Sequence, residues 1–373
     1  MSLSPFDYEM MALALCEAEK GLYTTHPNPR VGCVLVKDRE VIATGWHRKA
    51  GEGHAEVNAL LAAGENAKGA DCYVTLEPCS HFGRTPPCAE ALIKAGVSRV
   101  IVAVQDPNPQ VAGQGLAKLQ AAGIQTVAGC MEDTARALNV GFFKRMQQGL
   151  PFVRLKMASS LDGRTALANG VSQWITGAEA REDVQRLRAR SSAVVTGIET
   201  VLADNPSLNV RSTQIESECE VLQPQRAILD SQGRLQPEHK VVQLAGEVLV
   251  YSSEAGKSVL SSKGFAGNVR VISVTETEPG RLDLKEVLSH LGAEACNEVL
   301  VETGPTLAGA FIAANLVDEL WWYQGGLIMG ADARPALALG GWRSMEQLPR
   351  LSLIDCRQIG GDLRLIYQPE QAG

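Results

Sequence analysis

The sequence predicts an α/β protein built as two domains, and three observations carry that expectation. Its 373 residues exceed the roughly 250–300 over which a single hydrophobic core usually grows. Strand-like and helix-like stretches alternate through both halves, the pattern of helices packed on a largely buried sheet. Between the halves stands Gly149-Leu150-Pro151, where the proline ends one helix and pushes the residue before it into extended geometry. The boundary therefore falls between 149 and 150, giving domains of 1–149 and 150–373.

Each element follows from its local pattern. In the first half, 7–18 reads as a helix, 31–36 and 41–45 as strands, and a helix starts near His54 with Val57, Leu60 and Leu61 as its apolar face. Strand 71–76 leads into a proline- and glycine-rich loop, then helix 89–95, strand 98–104, helix 116–122 and one long helix across 131–146. The second half opens with strand 152–158, helix 178–189 and strand 193–196. The polar stretch 212–225 reads as a surface loop. Extended runs follow at 226–230, 247–251 and 269–273, then helix 284–291, strand 299–302 and helix 306–314.

Composition narrows the function. The net charge is −7, and there is no basic, aromatic-rich stripe of the kind that tracks a nucleic-acid backbone. A small anionic ligand needs only a few local cations and stays compatible. No segment is apolar and long enough to span a bilayer, and the first 20 residues lack a basic region ahead of a cleavage site, so a cytoplasmic location is expected. Nine cysteines, an odd number over a long chain, argue against a disulfide framework. Cys16, Cys33, Cys72, Cys130, Cys219, Cys296 and Cys356 read as small buried hydrophobes.

Cys79 and Cys88 read differently. Together with His54 they offer three metal ligands and leave a fourth position open, which is the pattern of a catalytic zinc site. A zinc there lowers the pKa of water towards neutrality. Glu56, two residues after His54, is placed to take that water's proton and hand it to a leaving amine. His-x-Glu followed by Pro-Cys-x-x-Cys is the pattern of zinc deaminases acting on amino-substituted rings. Here eight residues, 80–87, separate the two cysteines instead of two. The spacing still closes if Cys88 opens the next helix and the insert loops outward. His81, inside that insert, is the alternative ligand. Iron shares these ligand types with zinc.

At these residues the chain resembles a known family. Asn28-Pro29-Arg30-Val31-Gly32, Gly45-Trp46-His47, His54-Ala55-Glu56 and the run from Thr75-Leu76-Glu77-Pro78-Cys79 to Cys88 are similar to the bifunctional deaminase–reductases of riboflavin biosynthesis, in which the long insert is characteristic. The resemblance implies a cytidine-deaminase-like α/β/α sandwich followed by a dihydrofolate-reductase-like α/β domain. It implies hydrolysis of the 2-amino group of a diamino-ribosylamino-pyrimidinone 5′-phosphate, then NADPH reduction of the ribosyl side chain to ribityl. Asn28, His47, His81 and Arg84 would line the deaminase pocket, with Asp106 and Asn108 closing it. Their chemistry is compatible: asparagine amides match a heterocycle edge, and the planar fork of Arg84 suits a phosphate.

The second half carries the same resemblance. Lys156 through Arg164 looks like the opening of the reductase domain. Lys156, Ala158, Trp174, Thr200, Asp204 and Ser231 would contact NADPH, and Ser172, Arg188, Leu208, Arg211 and Glu302 the substrate. Arg188 and Arg211 come from separate segments and would clamp a phosphate between them. Glu302 ends a strand, and Gly304-Pro305 starts a helix whose N–H groups face an anion, with proline suited to the first helical position. Gly304, Pro305, Thr306, Leu307, Ala308, Gly309 and Ala310 would thus cradle the NADPH diphosphate without the Gly-x-Gly-x-x-Gly fingerprint. Lys156 and Asp162 are the candidate acids for the reduction.

Zinc and NADPH are the expected cofactors, a phosphorylated pyrimidine the substrate, and a homo-oligomer the expected assembly. The competing functions are a nucleoside or nucleic-acid deaminase with an unrelated second domain, and a non-catalytic zinc module. Three ligands with a poised Glu56 weigh against the latter, since structural zinc normally takes four protein ligands.

Overall fold

The computed structural model describes residues 3–80, 87–108 and 111–370. His81 and Arg84 lie outside the described residues. The chain forms two compact units that meet in sequence between Gly149 and Leu150.

The first unit is a five-stranded sheet ordered β2-β1-β3-β4-β5, with β1 Gly32–Lys37, β2 Glu40–Trp46, β3 Asp71–Leu76, β4 Arg99–Val104 and β5 Gln125–Ala128. β1 runs antiparallel to β2 and β3, whereas β3, β4 and β5 are parallel. The short valine- and isoleucine-rich runs of β1, β3 and β4 are buried on both faces, as a sheet covered on both sides requires.

Helices α2 Ala55–Ala63, α3 Cys88–Ala95 and α4 Gln114–Ala121 cover one face, where Ala59, Leu92 and Leu119 join the core. On the other face lie α1 Pro5–Glu19, α5 Glu132–Leu138 and α6 Val140–Gln148, contributing Met11, Ala135 and Phe143. α1 starts with a capping box: Ser4 Oγ accepts from the Asp7 amide, and Asp7 Oδ2 accepts from the Ser4 amide at 2.7 Å.

Several expectations are corrected here. The buried face of α2 is Ala55, Glu56, Ala59 and Ala63, while Leu61 is 77% exposed. Small residues are needed because α2 lies directly on β2: a Cβ on Gly45 would sit 2.5 Å from Ala55 O and Ala59 N. The long helix expected across 131–146 is two helices broken at Asn139. Its amide bonds to both backbone groups of Arg30, accepting from N at 2.8 Å and donating to O at 2.9 Å. β5 was not anticipated. Cys16 and Cys356 are exposed and Cys219 half-buried, so the buried-hydrophobe reading holds for Cys33, Cys72, Cys130 and Cys296.

The second unit holds a nine-stranded sheet in the order Val269–Ser273, Val248–Ser252, Gln225–Leu229, Ala193–Gly197, Glu298–Glu302, Phe152–Ser159, Glu319–Gln324, Asp362–Pro369, Leu351–Ile359. The first seven strands run parallel, and the eighth pairs antiparallel with both of its neighbours. Helices Leu284–Ala293 and Pro305–Ala313 pack on one face and Ala178–Arg190 on the other. The stretch read as a surface loop contains helix Thr213–Glu218, capped by the buried Ser212 and anchored by the buried Ile215. One apolar residue among polar neighbours leaves no periodicity to read.

Candidate active site

In the first unit, His54 is the N-cap of α2 and Cys88 the first residue of α3, while Cys79 lies three residues past the end of β3. Their ligand atoms all fall within 4.8 Å of one another, and this is the one such set of three or more among the described residues. His54 Nδ1 is 3.1 Å from Cys88 Sγ and 3.6 Å from Cys79 Sγ. One nitrogen and two sulfurs clustered at this range fit a zinc ion. Cys79 and Cys88 thus come together across eight intervening residues, and Cys88 opens a helix as the spacing required. The Cys88 amide donates to Cys79 Sγ at 3.3 Å, and the Ala89 amide to Cys79 O at 3.1 Å.

Electrostatics at this cluster separate the two thiols. The Cys79 thiol is pulled down to about 4, foremost by its hydrogen bond with Cys88 and further by His54, against the opposing effect of burial. As the donor in that pair, and being buried, Cys88 is pushed up instead. Two helix N-termini meet at this point and favour thiolate over thiol. Glu56, in the first turn of α2, is buried, and burial raises its carboxyl pKa while nearby His54 opposes the rise. A carboxyl so placed exchanges a proton more readily near neutrality than an exposed one.

His47 and Asn28 meet beside the cluster. Burial lowers the His47 pKa, so the ring is neutral. Its Nδ1 faces Gly53 O at 3.2 Å, and its Nε2 lies 3.0 Å from Asn28 Nδ2. Gly53 O can only accept, so Nδ1 carries the proton and Nε2 accepts from the asparagine. Asp106 and Asn108 follow the carboxyl end of β4, with Asp106 Oδ1 accepting from the Asn108 amide at 2.8 Å.

In the second unit a cleft of about 1940 Å³ opens at the carboxyl ends of the parallel strands, where α/β sheets bind ligands. It is lined by Lys156, Ala158, Ser172, Trp174, Arg188, Thr200, Asp204, Leu208, Arg211, Ser231, Glu302, Gly304, Pro305, Thr306, Leu307 and Ala310. Helix Pro305–Ala313 begins with Gly304 as its N-cap and Pro305 at its first position, with no capping side chain. That opening fits a diphosphate. Ala308 and Gly309 do not line the cleft: Ala308 is buried in the core, and a Cβ on Gly309 would lie 2.3 Å from Ala338 O. Leu307, Ala310 and Ala314 line the cleft because residues three or four apart share one side of a helix, and Ala308 and Gly309 lie off that side.

Arg188 lines the cleft with its guanidinium paired to Glu302 through Nε and Nη2, and its Nη1 donates to Asn209 O at 3.1 Å. Asp162 lies outside the cleft lining, and its carboxylate accepts from Ser160 Oγ at 2.5 Å and the amides of Met329 and Gly330. Sequence reasoning missed the cleft cations Arg181, Arg234, Lys240, Arg281, Lys285 and Arg334, which carry no local signal separating them from solvated surface charges. Trp174, 67% exposed, lies against Arg181, whose guanidinium is 4.3 Å from a ring centroid.

Comparison with known proteins bears on both units. Residues 5–104 match the cytidine and deoxycytidylate deaminase zinc-binding region, and residues 151–365 match the RibD C-terminal domain. The riboflavin biosynthesis protein RibD of Escherichia coli (strain K12) is 49% identical over 366 residues, covering 96% of this chain and 98% of that protein. Its counterpart in Haemophilus influenzae is 48% identical over 378 residues, covering 99% of each. The structure of Acinetobacter baumannii RibD, form 1, superposes with a TM-score of 0.90 at 47% identity, covering 98% of this chain and 99% of that one. A deaminase/reductase structure from Thermotoga maritima gives 0.86 at 31% identity, with the same coverage. No helix among the described residues is long and apolar enough to cross a membrane. The chain therefore belongs to the RibD family, enzymes of riboflavin biosynthesis that join a zinc-dependent deaminase domain to an NADPH-dependent reductase domain.

Proposed function

We propose that residues 1–149 hydrolyse the 2-amino group of 2,5-diamino-6-ribosylamino-4(3H)-pyrimidinone 5′-phosphate, and that residues 150–373 then reduce the ribosyl side chain to ribityl. The convergence of His54, Cys79, Cys88 and a buried Glu56 supports the first step most directly.

His54, Cys79 and Cys88 would hold zinc, which when bound lowers the pKa of water enough to supply a nucleophile at neutral pH. Glu56 would carry one proton from water to the ring nitrogen as oxygen bonds to C2, then a second from the new C2 hydroxyl to the amine as the C2–N bond breaks, leaving a ring carbonyl and ammonia. Asn28 spends its amide N–H on His47, so its Oδ1 is the atom that accepts from a ring amino or imino group. By family resemblance His81, Arg84, Asp106 and Asn108 also contact the substrate.

For the second step, the opening of helix Pro305–Ala313 would hold the cofactor diphosphate, with Lys156, Ala158, Trp174, Thr200, Asp204 and Ser231 along the remaining length of NADPH. Bound NADPH supplies the hydride. Ser172, Arg188, Leu208, Arg211 and Glu302 form the substrate side. Glu302 stays ionised: burial alone would raise its pKa, but Arg188 holds it below the usual carboxylate range. It orients Arg188, leaving Arg211 as the principal phosphate ligand. Lys156, whose pKa burial lowers, is the acid for the ring-opened sugar.

A phosphorylated substrate and a dinucleotide cofactor favour a cytoplasmic enzyme, and a homo-oligomer is its expected form. Sedimentation of the purified chain tests the assembly. A coupled assay tests the function: ammonia release and NADPH absorbance are followed on the diamino substrate, with and without a zinc chelator. Chelator-sensitive ammonia release followed by NADPH loss is expected. Ammonia from cytidine or adenosine instead would overturn the assignment.

A further inference from the structure

Glu77 is a buried carboxylate with an unusual set of partners. It follows β3 directly and precedes Pro78-Cys79. Its Oε2 accepts from the amides of Asp106 at 3.2 Å and Gly113 at 2.9 Å, and its Oε1 from those of Gly115 at 2.9 Å and Leu116 at 3.2 Å. Its own amide donates to Val104 O at 3.0 Å, tying the ends of β3 and β4 together.

Gly113, the N-cap of α4, has no side chain to satisfy the first amides of that helix. Glu77 supplies the missing cap from another strand, with a full charge at the positive end of the helix. The contact is close: a Cβ on Gly115 would lie 2.0 Å from Pro78 O. One side chain thus joins two things, the backbone beside metal ligand Cys79 and the segment bearing Asp106 and Asn108.

We propose that Glu77 is a positioning residue for the deaminase, setting the Asp106–Asn108 segment at its working distance from the metal cluster. This rests on the reading that this segment contacts the pyrimidine substrate. The effect falls on substrate binding more than on metal binding, because Cys79 is also held by the Cys88 amide, whereas the carboxylate bonds directly to the Asp106 amide.

The test uses the full chain in three variants, with zinc content, deaminase KM and kcat, and reductase activity on pre-deaminated substrate as readouts. Glu77→Gln keeps the shape but turns an NH₂ group towards two backbone N–H donors. The expected result is a deaminase KM about tenfold higher, kcat within about threefold, zinc retained and reductase unchanged. Gly115→Ala, which lifts α4 off Pro78 and leaves the carboxylate intact, is expected to raise KM likewise. Asn108→Ala tests the underlying reading, and its failure to raise KM removes that reading and the proposal with it. If Asn108→Ala raises KM while Glu77→Gln or Gly115→Ala does not, the reading stands and the positioning role falls. Proportional loss of zinc and kcat in Glu77→Gln also overturns it, making Glu77 a brace of the metal site.

Discussion

Arg188 holds Glu302 with two parallel hydrogen bonds, Nε to Oε1 at 2.6 Å and Nη2 to Oε2 at 2.9 Å, at the inner wall of the reductase cleft. Both side chains are about nine-tenths buried, so each charge depends on the other. Removing one partner of such a pair leaves the second unpaired and costs about 3–5 kcal/mol. Glu302→Ala is accordingly expected to lower the unfolding free energy of the second unit in urea by about that amount, with a matching drop in midpoint, and to abolish NADPH oxidation. An unchanged midpoint would show that Arg188 finds another partner.

Cys79→Ser should remove zinc and ammonia release while the reductase still oxidises NADPH on pre-deaminated substrate. The cysteine lies wholly within the first unit, whose core clusters are separate from those of the second. Metal content, ammonia release and NADPH absorbance on one preparation check this. Loss of both activities would mean that the second unit needs the first in order to fold.

Glu56→Gln should retain zinc and lose deaminase kcat by about a thousandfold, as removing a positioned proton carrier does. The side chain is isosteric, so the folded first unit should persist by circular dichroism. Residual turnover near wild type would assign the proton transfer to another group.

Asn28→Ala is expected to raise deaminase KM about tenfold and leave zinc unchanged, since the amide would bridge His47 and the substrate ring. Equal KM values would show that the asparagine only orders its loop.

Asp7 links the capping box of α1 to the sheet, with Oδ1 taken by Tyr73 Oη and Arg99 Nη1, both at 2.9 Å. Burial alone would raise its pKa, but the Arg99 pair and the bonds from Ser4 and Tyr73 outweigh it and hold the carboxyl well below its ordinary 3.8. A depressed folded pKa gives stability that is present above the unfolded value and lost as pH falls through the folded one. Asp7→Asn should therefore cost about 2 kcal/mol at pH 7, and progressively less as the pH drops below about 4. A pH-independent difference would locate the effect in packing instead.

Much of the deaminase site was legible because its residues are close in sequence or tied to element ends. His54-Ala55-Glu56 opens a helix, Pro78-Cys79 follows an apolar strand and Cys88 starts the next helix, so local pattern alone places them. The α2 face was misread because hydrophobicity points to Leu61, whereas contact distance selects Ala59: a helix lying on Gly45 of β2 has no room for leucine there. The break at Asn139 was invisible for a similar reason, its cause being Arg30, 109 residues away.

The sequence by itself determined the α/β class, the division near residue 149, the histidine–cysteine–cysteine donor set and the glycine–proline opening of helix Pro305–Ala313. Each of these depends on composition, period or spacing within a few residues. Only the tertiary structure decided that Arg188 pairs with Glu302 and that Glu77 caps a helix from another strand. Those outcomes depend on which buried polar groups meet across the fold. A buried charge must find a partner wherever the packing brings one, and sequence separation gives no sign of it.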